Sequence, residues 1–408
     1  MKQILILFLV FFLLGCKKNN PEPPTAPRGT LISYEKVGTL TPDQINELDT
    51  EHDMRPLMKY TIDYYSITYT SIYKDNQVLL SLTNSPILLS GLIIVPRSND
   101  SLSLLQYHHG TLLPEDAIPL GMQNAPSNFR GKTPTKTDSF FEVRMLCCVA
   151  ASHGYIVSAP DYAGLGVSDH VNHPYTMQHE LAENSIDMIK ATRQFIEQQN
   201  LFWKDRLYLT GWSEGAGVCL GTHKAIQEEY SGQFNLQASA NYAGPYDYEE
   251  FVDVIFDNPN TSFKFLPIYN WASYAMNTSF LNSRPYDQIW RYPVMNPMDA
   301  VLVPSTRPVD IYQPFFLQMV QTDSDAGMMN GIQANCTNTG WVPEEPVFFY
   351  VGVTDQIIPH QITVNTYQEF KSQGASAKLY EYPGNHFTAV YDYFFQMMED
   401  VDSLNALN

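Results

Sequence analysis

Gly211-Trp212-Ser213-Glu214-Gly215 stands between a short apolar run, Leu207 to Thr210, and a stretch of helical character, Ala216 to Tyr230. A G-x-S-x-G pentapeptide in a strand-turn-helix setting reverses the chain so sharply that the serine oxygen is left exposed at the strand's carboxyl end. Glycines on both sides of Ser213 relieve the crowding of such a turn. Three fixed positions in five recur by chance, so the setting carries the reading. A serine hydroxyl is a poor nucleophile at neutral pH. It needs a base to take its proton, and the base needs a carboxylate to fix its orientation and tautomer.

Later segments supply both groups. Asp355 follows the apolar run Val347 to Val351 in the turn Gly352-Val353-Thr354-Asp355-Gln356, and His386 follows Lys378 to Tyr382 inside Pro383-Gly384-Asn385-His386-Phe387. An Asp in a turn is often solvated or caps a helix, and a His in a Gly-Asn turn is often simply exposed. Chain order and strand-end placement favour the catalytic reading of both. Asp323, Asp325 and Asp392 compete for the acid's place, but none directly follows a strong apolar run. His360 is the other histidine in this part of the chain.

These residues need a scaffold that brings strand ends together. Thr41-Pro42-Asp43 reads as a helix start, with a hydroxyl cap, proline at the first position and an acidic first turn. Tyr65 to Tyr73 and Ile87 to Val95 read as strands, an antiparallel entry to a sheet. From residue 102 short apolar runs alternate with helical stretches: Leu102 to Tyr107, Tyr155 to Ala159, Leu207 to Thr210, Ala238 to Tyr242 and Val347 to Val351. Runs of this type suit parallel strands covered on both faces, and Glu180 to Gln199 has its apolar residues at helical spacing. The alternation predicts an α/β class with a mostly parallel, doubly wound sheet. Residues 246–345 break it with a segment rich in Pro, Asn and aromatics, including Trp271, Trp290, Tyr269, Tyr274, Tyr286 and Tyr292. This segment reads as an inserted cap or lid, or as an irregular region with a few packed helices.

Ser158-Ala159-Pro160-Asp161-Tyr162-Ala163-Gly164-Leu165-Gly166 closes the strand at Tyr155. Together with the Ser213 turn and the Asp355/His386 spacing, it resembles the D-Y-x-G-x-G segment of bacterial secreted lipases and esterases of the α/β-hydrolase fold, and more distantly the fungal lipase A family. The resemblance covers residues 85–245 and 345–390. It implies ester cleavage with Ser213, Asp355 and His386 as the triad. It also places Asp161 and Tyr162 beside the oxyanion hole, although a tight turn that only shapes the sheet edge fits them equally. The fold supplies one oxyanion donor from the amide after the nucleophile, here Glu214. Tyr107-His108-His109-Gly110-Thr111 resembles the His-Gly signature of many hydrolases, which nominates the amide of Thr111, with Gly110 as alternative. His108 and His109 can brace this loop by hydrogen bonds. His109 and Trp212 are further candidates to line the site.

The chain opens with Met1-Lys2, an apolar run from Ile4 to Leu14, then Gly15-Cys16 and a polar stretch to Pro27. That run is shorter than the roughly 20 residues of a membrane span. Leu13-Leu14-Gly15-Cys16 resembles a bacterial lipobox, with Leu14 departing from the smaller residue usual there. The resemblance implies removal of a leader at 1–15, lipidation of Cys16 and anchoring to a membrane, with the lack of an aspartate after the cysteine favouring the outer one. An ordinary secretory signal or an uncleaved anchor would also place the body outside the cytoplasm. The resulting division is 1–15 leader, 16–30 lipidated Cys and linker, 31–245 first part of the core, 246–345 cap, and 346–408 second part of the core.

A net charge of −19 argues against a nucleic-acid partner, since phosphate contact requires clustered Lys and Arg. Cys147, Cys148, Cys219 and Cys336 form no zinc-type spacing and read mostly as buried thiols. Asp169, His170, His173 and His179 could be imagined as metal ligands, but their spacing fits no strong motif, and loop histidines near a helix start are more often at the surface. No metal or cofactor is expected. The expected substrate is a small-molecule, lipid or glycan ester. A peptidase of the same fold, or an inactive binding lipoprotein on a hydrolase scaffold, remains open.

Overall fold

Three segments of this chain, Leu102–His108, Tyr155–Pro160 and Val347–Gly352, bury every side chain along their length. They are central strands of a sheet in a computed structural model that describes residues 24–48, 52–75, 83–112, 125–131, 140–279 and 284–407. The strands are β1 (Leu31–Leu40), β2 (Ile62–Asp75), β3 (Thr83–Pro96), β4 (Leu102–His108), β5 (Tyr155–Pro160), β6 (Trp203–Trp212), β7 (Leu236–Tyr242), β8 (Val347–Gly352) and β9 (Ala377–Tyr382). Their order across the sheet is β1-β2-β3-β5-β4-β6-β7-β8-β9. The pairs β1/β2, β2/β3 and β3/β5 are antiparallel, and every pair from β5 to β9 is parallel.

Successive residues of a strand point to opposite faces, and the central strands use both. Leu104 and Leu209 face a layer that includes Ile186, Ile189 and Phe195 of the helix Gln178–Gln198. Leu105 and Tyr208 face the other layer, built from residues 143–151 and from Tyr393, Phe394 and Met397 of the helix Val390–Leu407. This is why their apolar runs are continuous rather than alternating.

Between β7 and β8 the described residues form helices at Tyr248–Phe256, Leu266–Ser279, Tyr286–Ile289, Pro297–Val301, Pro308–Ile311, Pro314–Gln321 and Ala326–Asn335. Proline opens three of them, where its missing N–H removes no helical bond. Their apolar faces close on Trp271, Trp290, Tyr312 and Phe316, in a core shared with Val347 and Phe349 of β8. The expected aromatic segment is therefore folded on itself and against the sheet.

Thr41 caps the helix Pro42–Glu47 through a capping box, its hydroxyl accepting from the Gln44 amide at 3.3 Å. β1 had no signal in the sequence because it is an edge strand with most side chains partly or fully exposed. Residues 143–153 form a π-helical turn running into an α-helix, Val143–Cys148 then Val149–His153. Cys147 and Cys148 are both buried there, since neighbours on a helix need not face opposite ways as they would on a strand. All of Cys147, Cys148, Cys219 and Cys336 are free thiols. Among the described residues no helix is long and apolar enough to cross a membrane. The leader at 1–15 and Cys16 lie outside the described residues.

Candidate active site

A single residue joins β6 to the helix Glu214–Glu228, and that residue is Ser213, at φ 61° and ψ −126°. A non-glycine residue held there costs of order 1–3 kcal/mol and persists only when its surroundings fix it. The Ser213 amide donates to the Tyr242 carbonyl at 2.9 Å, and the Ser213 carbonyl accepts from the Ala216 amide at 2.9 Å. The first helical turn passes so close to the end of β4 that a Cβ on Gly215 would stand 2.0 Å from the His108 carbonyl oxygen.

β8 and β9 deliver the other two residues. His386 Nδ1 lies 2.6 Å from Asp355 Oδ2, with both side chains buried. Asp355 Oδ1 accepts the amides of Ile357 and Ile358 at 2.9 and 3.1 Å, so the backbone fixes one oxygen and the other faces the ring. A ring that donates from Nδ1 to a carboxylate leaves Nε2 free to accept a proton. The ring is flanked by Trp212 at 5.7 Å and Tyr242 at 6.3 Å, and the Tyr242 hydroxyl donates to the His386 carbonyl at 3.1 Å. Among the described residues the Ser213 hydroxyl makes no hydrogen bond to His386. In sites without substrate this link is commonly open and tightens only when substrate is bound.

The competing residues are engaged elsewhere. Asp325 caps the helix Ala326–Asn335 and pairs with Arg284. Asp323 and Asp392 are exposed, and His360 sits 3.5 Å from Glu381.

The Glu214 amide is at the first position of its helix, where N–H groups have no intrahelical acceptor. Its side chain turns inward, and Oε1 accepts from His173 Nε2 at 3.1 Å and from the Thr176 amide at 2.9 Å. Gly110 lies against Ser213, since a Cβ on it would stand 3.5 Å from the serine Cβ. The Gly110 amide, however, donates to Glu142 Oε2 at 2.8 Å. Of the two nominated loop donors, Thr111 is the one whose amide is not held in this way among the described residues. Its hydroxyl meets Tyr175 Oη at 2.8 Å.

Asp161 is fully buried, and its carboxylate accepts from Ser90 Oγ at 2.5 Å and from the Ser127 amide at 2.8 Å. Burial raises its pKa and these donors oppose the rise. Tyr162, at φ 66°, packs on Leu181 and Val218, with its ring 4.2 Å from His109. The His109 ring in turn lies between the carbonyls of Gly110 (2.7 Å) and Asp161 (3.2 Å). The turn after β5 therefore supports the Gly110 loop through His109, and the Asp161 carboxylate points into the protein fabric. His108 bonds to the Thr210 carbonyl at 3.0 Å, and burial pushes its pKa down to about 3.

His173 is buried rather than at the surface, with Nδ1 2.7 Å from the Ala163 carbonyl, whereas His179 is exposed and His170 partly so. Thr176 and Glu142 were not singled out from the sequence, and His173 was weighed there only as a metal ligand or a surface residue. The signal for Glu142 was a lone carboxylate in the apolar stretch Phe140-Phe141-Glu142-Val143.

A strained serine at a strand end, a histidine held by a buried carboxylate, and amides beside the serine form a set able to perform acyl transfer. The sheet order, the turn at Ser213 and the helical insertion before β8 are those of the α/β-hydrolase fold, which this chain adopts. Within it, residues 132–252 match the secretory lipase family. A solved structure from Legionella pneumophila superposes with a TM-score of 0.74 at 20% identity, covering 92% of this chain and 98% of the other. The rice cell wall degrading esterase LipA from Xanthomonas oryzae gives 0.71 at 22% identity, covering 93% and 97%. Candida antarctica lipase A gives 0.63 at 17% identity, covering 91% and 83%. At these identities the likeness establishes the fold. No curated protein matches the chain.

Proposed function

We propose that the chain is a serine hydrolase that cleaves carboxylic esters through an acyl-enzyme on Ser213. The observation that carries this reading is the 2.6 Å contact of His386 Nδ1 with Asp355 Oδ2, beside a serine held at φ 61°. Ser213 Oγ attacks the ester carbonyl carbon as its proton passes to His386 Nε2. The tetrahedral oxyanion takes N–H donors from Glu214 and Thr111, each worth about 10²–10³ in rate. Collapse breaks the bond to the alcohol, which leaves with the proton from His386. Water then repeats the sequence on the acyl-enzyme, releasing the acid and restoring the serine. No cofactor enters.

The secretory lipase match supports an ester over an amide as substrate, and it supports a place outside the cytoplasm. Residues 246–345 serve as the cap, and their large aromatics Trp271, Trp290, Tyr269 and Tyr274 fill its own core, so the substrate class rests on the family match and not on them. Lipidation at Cys16 and anchoring to a membrane rest on the Leu13–Cys16 pattern alone.

The test is to react residues 17–408 with a fluorophosphonate and to assay p-nitrophenyl esters of increasing chain length beside Ser213→Ala. The expected result is labelling at Ser213 and turnover that the variant loses while its thermal unfolding is nearly unchanged. Equal turnover by the variant would remove the proposal.

A further inference from the structure

Glu142 is a second carboxylate in the site, and the mechanism above gives it no part. It ends the segment before the π-helical turn Val143–Cys148, and π-turns are frequent at functional sites. Its Oε2 accepts two hydrogen bonds, from Tyr107 Oη at 2.5 Å and from the Gly110 amide at 2.8 Å. Its Oε1 and the Ser213 Cβ both border Gly110, at 3.2 and 3.5 Å from the point where a Cβ on that glycine would stand, which puts carboxyl and nucleophile on the same glycine.

Resting on the ester-hydrolase reading, we propose that Glu142 is a positioning residue of the oxyanion loop and a charge-dependent brake on acylation. By holding the Gly110 amide, it turns that donor away from the oxyanion and fixes the backbone so that the next amide, Thr111, serves instead. As a carboxylic acid it does this without a charge. As a carboxylate it sets a negative charge beside the forming oxyanion and raises the barrier.

Among the described residues, the groups facing Glu142 leave this balance to its own proton. Tyr107 comes from β4, Tyr162 from the turn after β5, Cys147 from the π-helical turn and Tyr393 from the helix Val390–Leu407. Burial raises the pKa of each, so all are neutral around pH 7. Glu214, on the helix after the nucleophile, adds a carboxylate held by His173 and Thr176. Burial, opposed by the bonds from Tyr107 and Gly110, pushes Glu142 up to about 7. Protonation of Glu142 therefore changes around neutral pH.

The experiment compares pH profiles of kcat and kcat/KM for the wild type, Glu142→Gln and Tyr107→Phe with a short-chain p-nitrophenyl ester. The glutamine carbonyl can accept both bonds that Oε2 accepts, so the loop is kept while the charge is lost. The wild-type profile is expected to fall above neutral pH. Glu142→Gln should abolish that fall, exceeding the wild type about 10-fold at pH 8 while staying close to it at pH 6. Tyr107→Phe removes a donor to the carboxylate and should move the falling limb to higher pH, a readout that does not depend on the glutamine variant folding. Superimposable profiles for the wild type and the folded variants would overturn the proposal and leave the hydrolase reading intact. Absence of turnover and of Ser213 labelling in the wild type would remove both.

Discussion

Glu214 Oε1 accepts from His173 Nε2 at 3.1 Å, which ties the residue after the nucleophile to the loop that follows β5. The other Glu214 oxygen is buried and has no hydrogen-bond partner among the described residues. His173→Ala should therefore leave a buried carboxylate largely uncompensated, destabilising the fold by about 3 kcal/mol. It should also lower kcat more than it raises KM, because the amide of Glu214 moves with its side chain. Urea denaturation alongside ester kinetics checks both. A variant with wild-type stability would show that Thr176 alone holds Glu214.

Asp355→Asn keeps the oxygen that accepts the Ile357 and Ile358 amides but presents an NH₂ to His386 Nδ1. The ring must then turn its lone pair to Nδ1 and its proton to Nε2, the wrong tautomer for a base. We expect kcat to fall by about 10⁴ with little change in the melting temperature. A loss below tenfold would mean that another carboxylate orients His386.

Legibility in the sequence followed burial. β4, β5 and β8 are covered on both faces and announced themselves as apolar runs, whereas β1 at the edge is mostly solvated and gave no pattern. The strand-end positions of Ser213, Asp355 and His386 were legible because following an apolar run is a local property of the chain. The partners of Glu214 and Gly110 were not. His173 and Glu142 lie 41 and 32 residues from the groups they bond, and only the crossing of loops over the sheet brings them together. Asp161 was legible as a member of a motif, but which way its carboxylate points depends on Ser90 and Ser127, which belong to other segments.

Gly215→Ala and Gly221→Ala lie on the same helix and should differ in sign. A Cβ at 215 would meet the His108 backbone at 2.0 Å, so strand end and helix must part, at a cost of about 3 kcal/mol and with loss of the Ser213 geometry. At 221 the nearest atom is 3.4 Å away, and alanine should be neutral or stabilise by up to about 1 kcal/mol through helix propensity. Thermal melts of both variants decide this, and equal effects would mean that the crossing at 215 is slack.

Acid should unfold this protein partly through buried histidines that are not His386. His108 and His223 are buried, and burial holds the pKa of each down to about 3, against 6.5 in the unfolded chain. Between those values the unfolded state binds protons that the folded state refuses, so stability is full above pH 6.5 and is lost as pH falls toward 3. The slope is about 1.4 kcal/mol per pH unit for each histidine. Replacing His223, which bonds to Ser239 Oγ at 2.9 Å, with glutamine should make denaturation between pH 6 and 4 less steep by about one proton. The proton uptake on unfolding, taken from melts at several pH values, measures it. An unchanged slope in that variant would mean that His223 is protonated in the folded state.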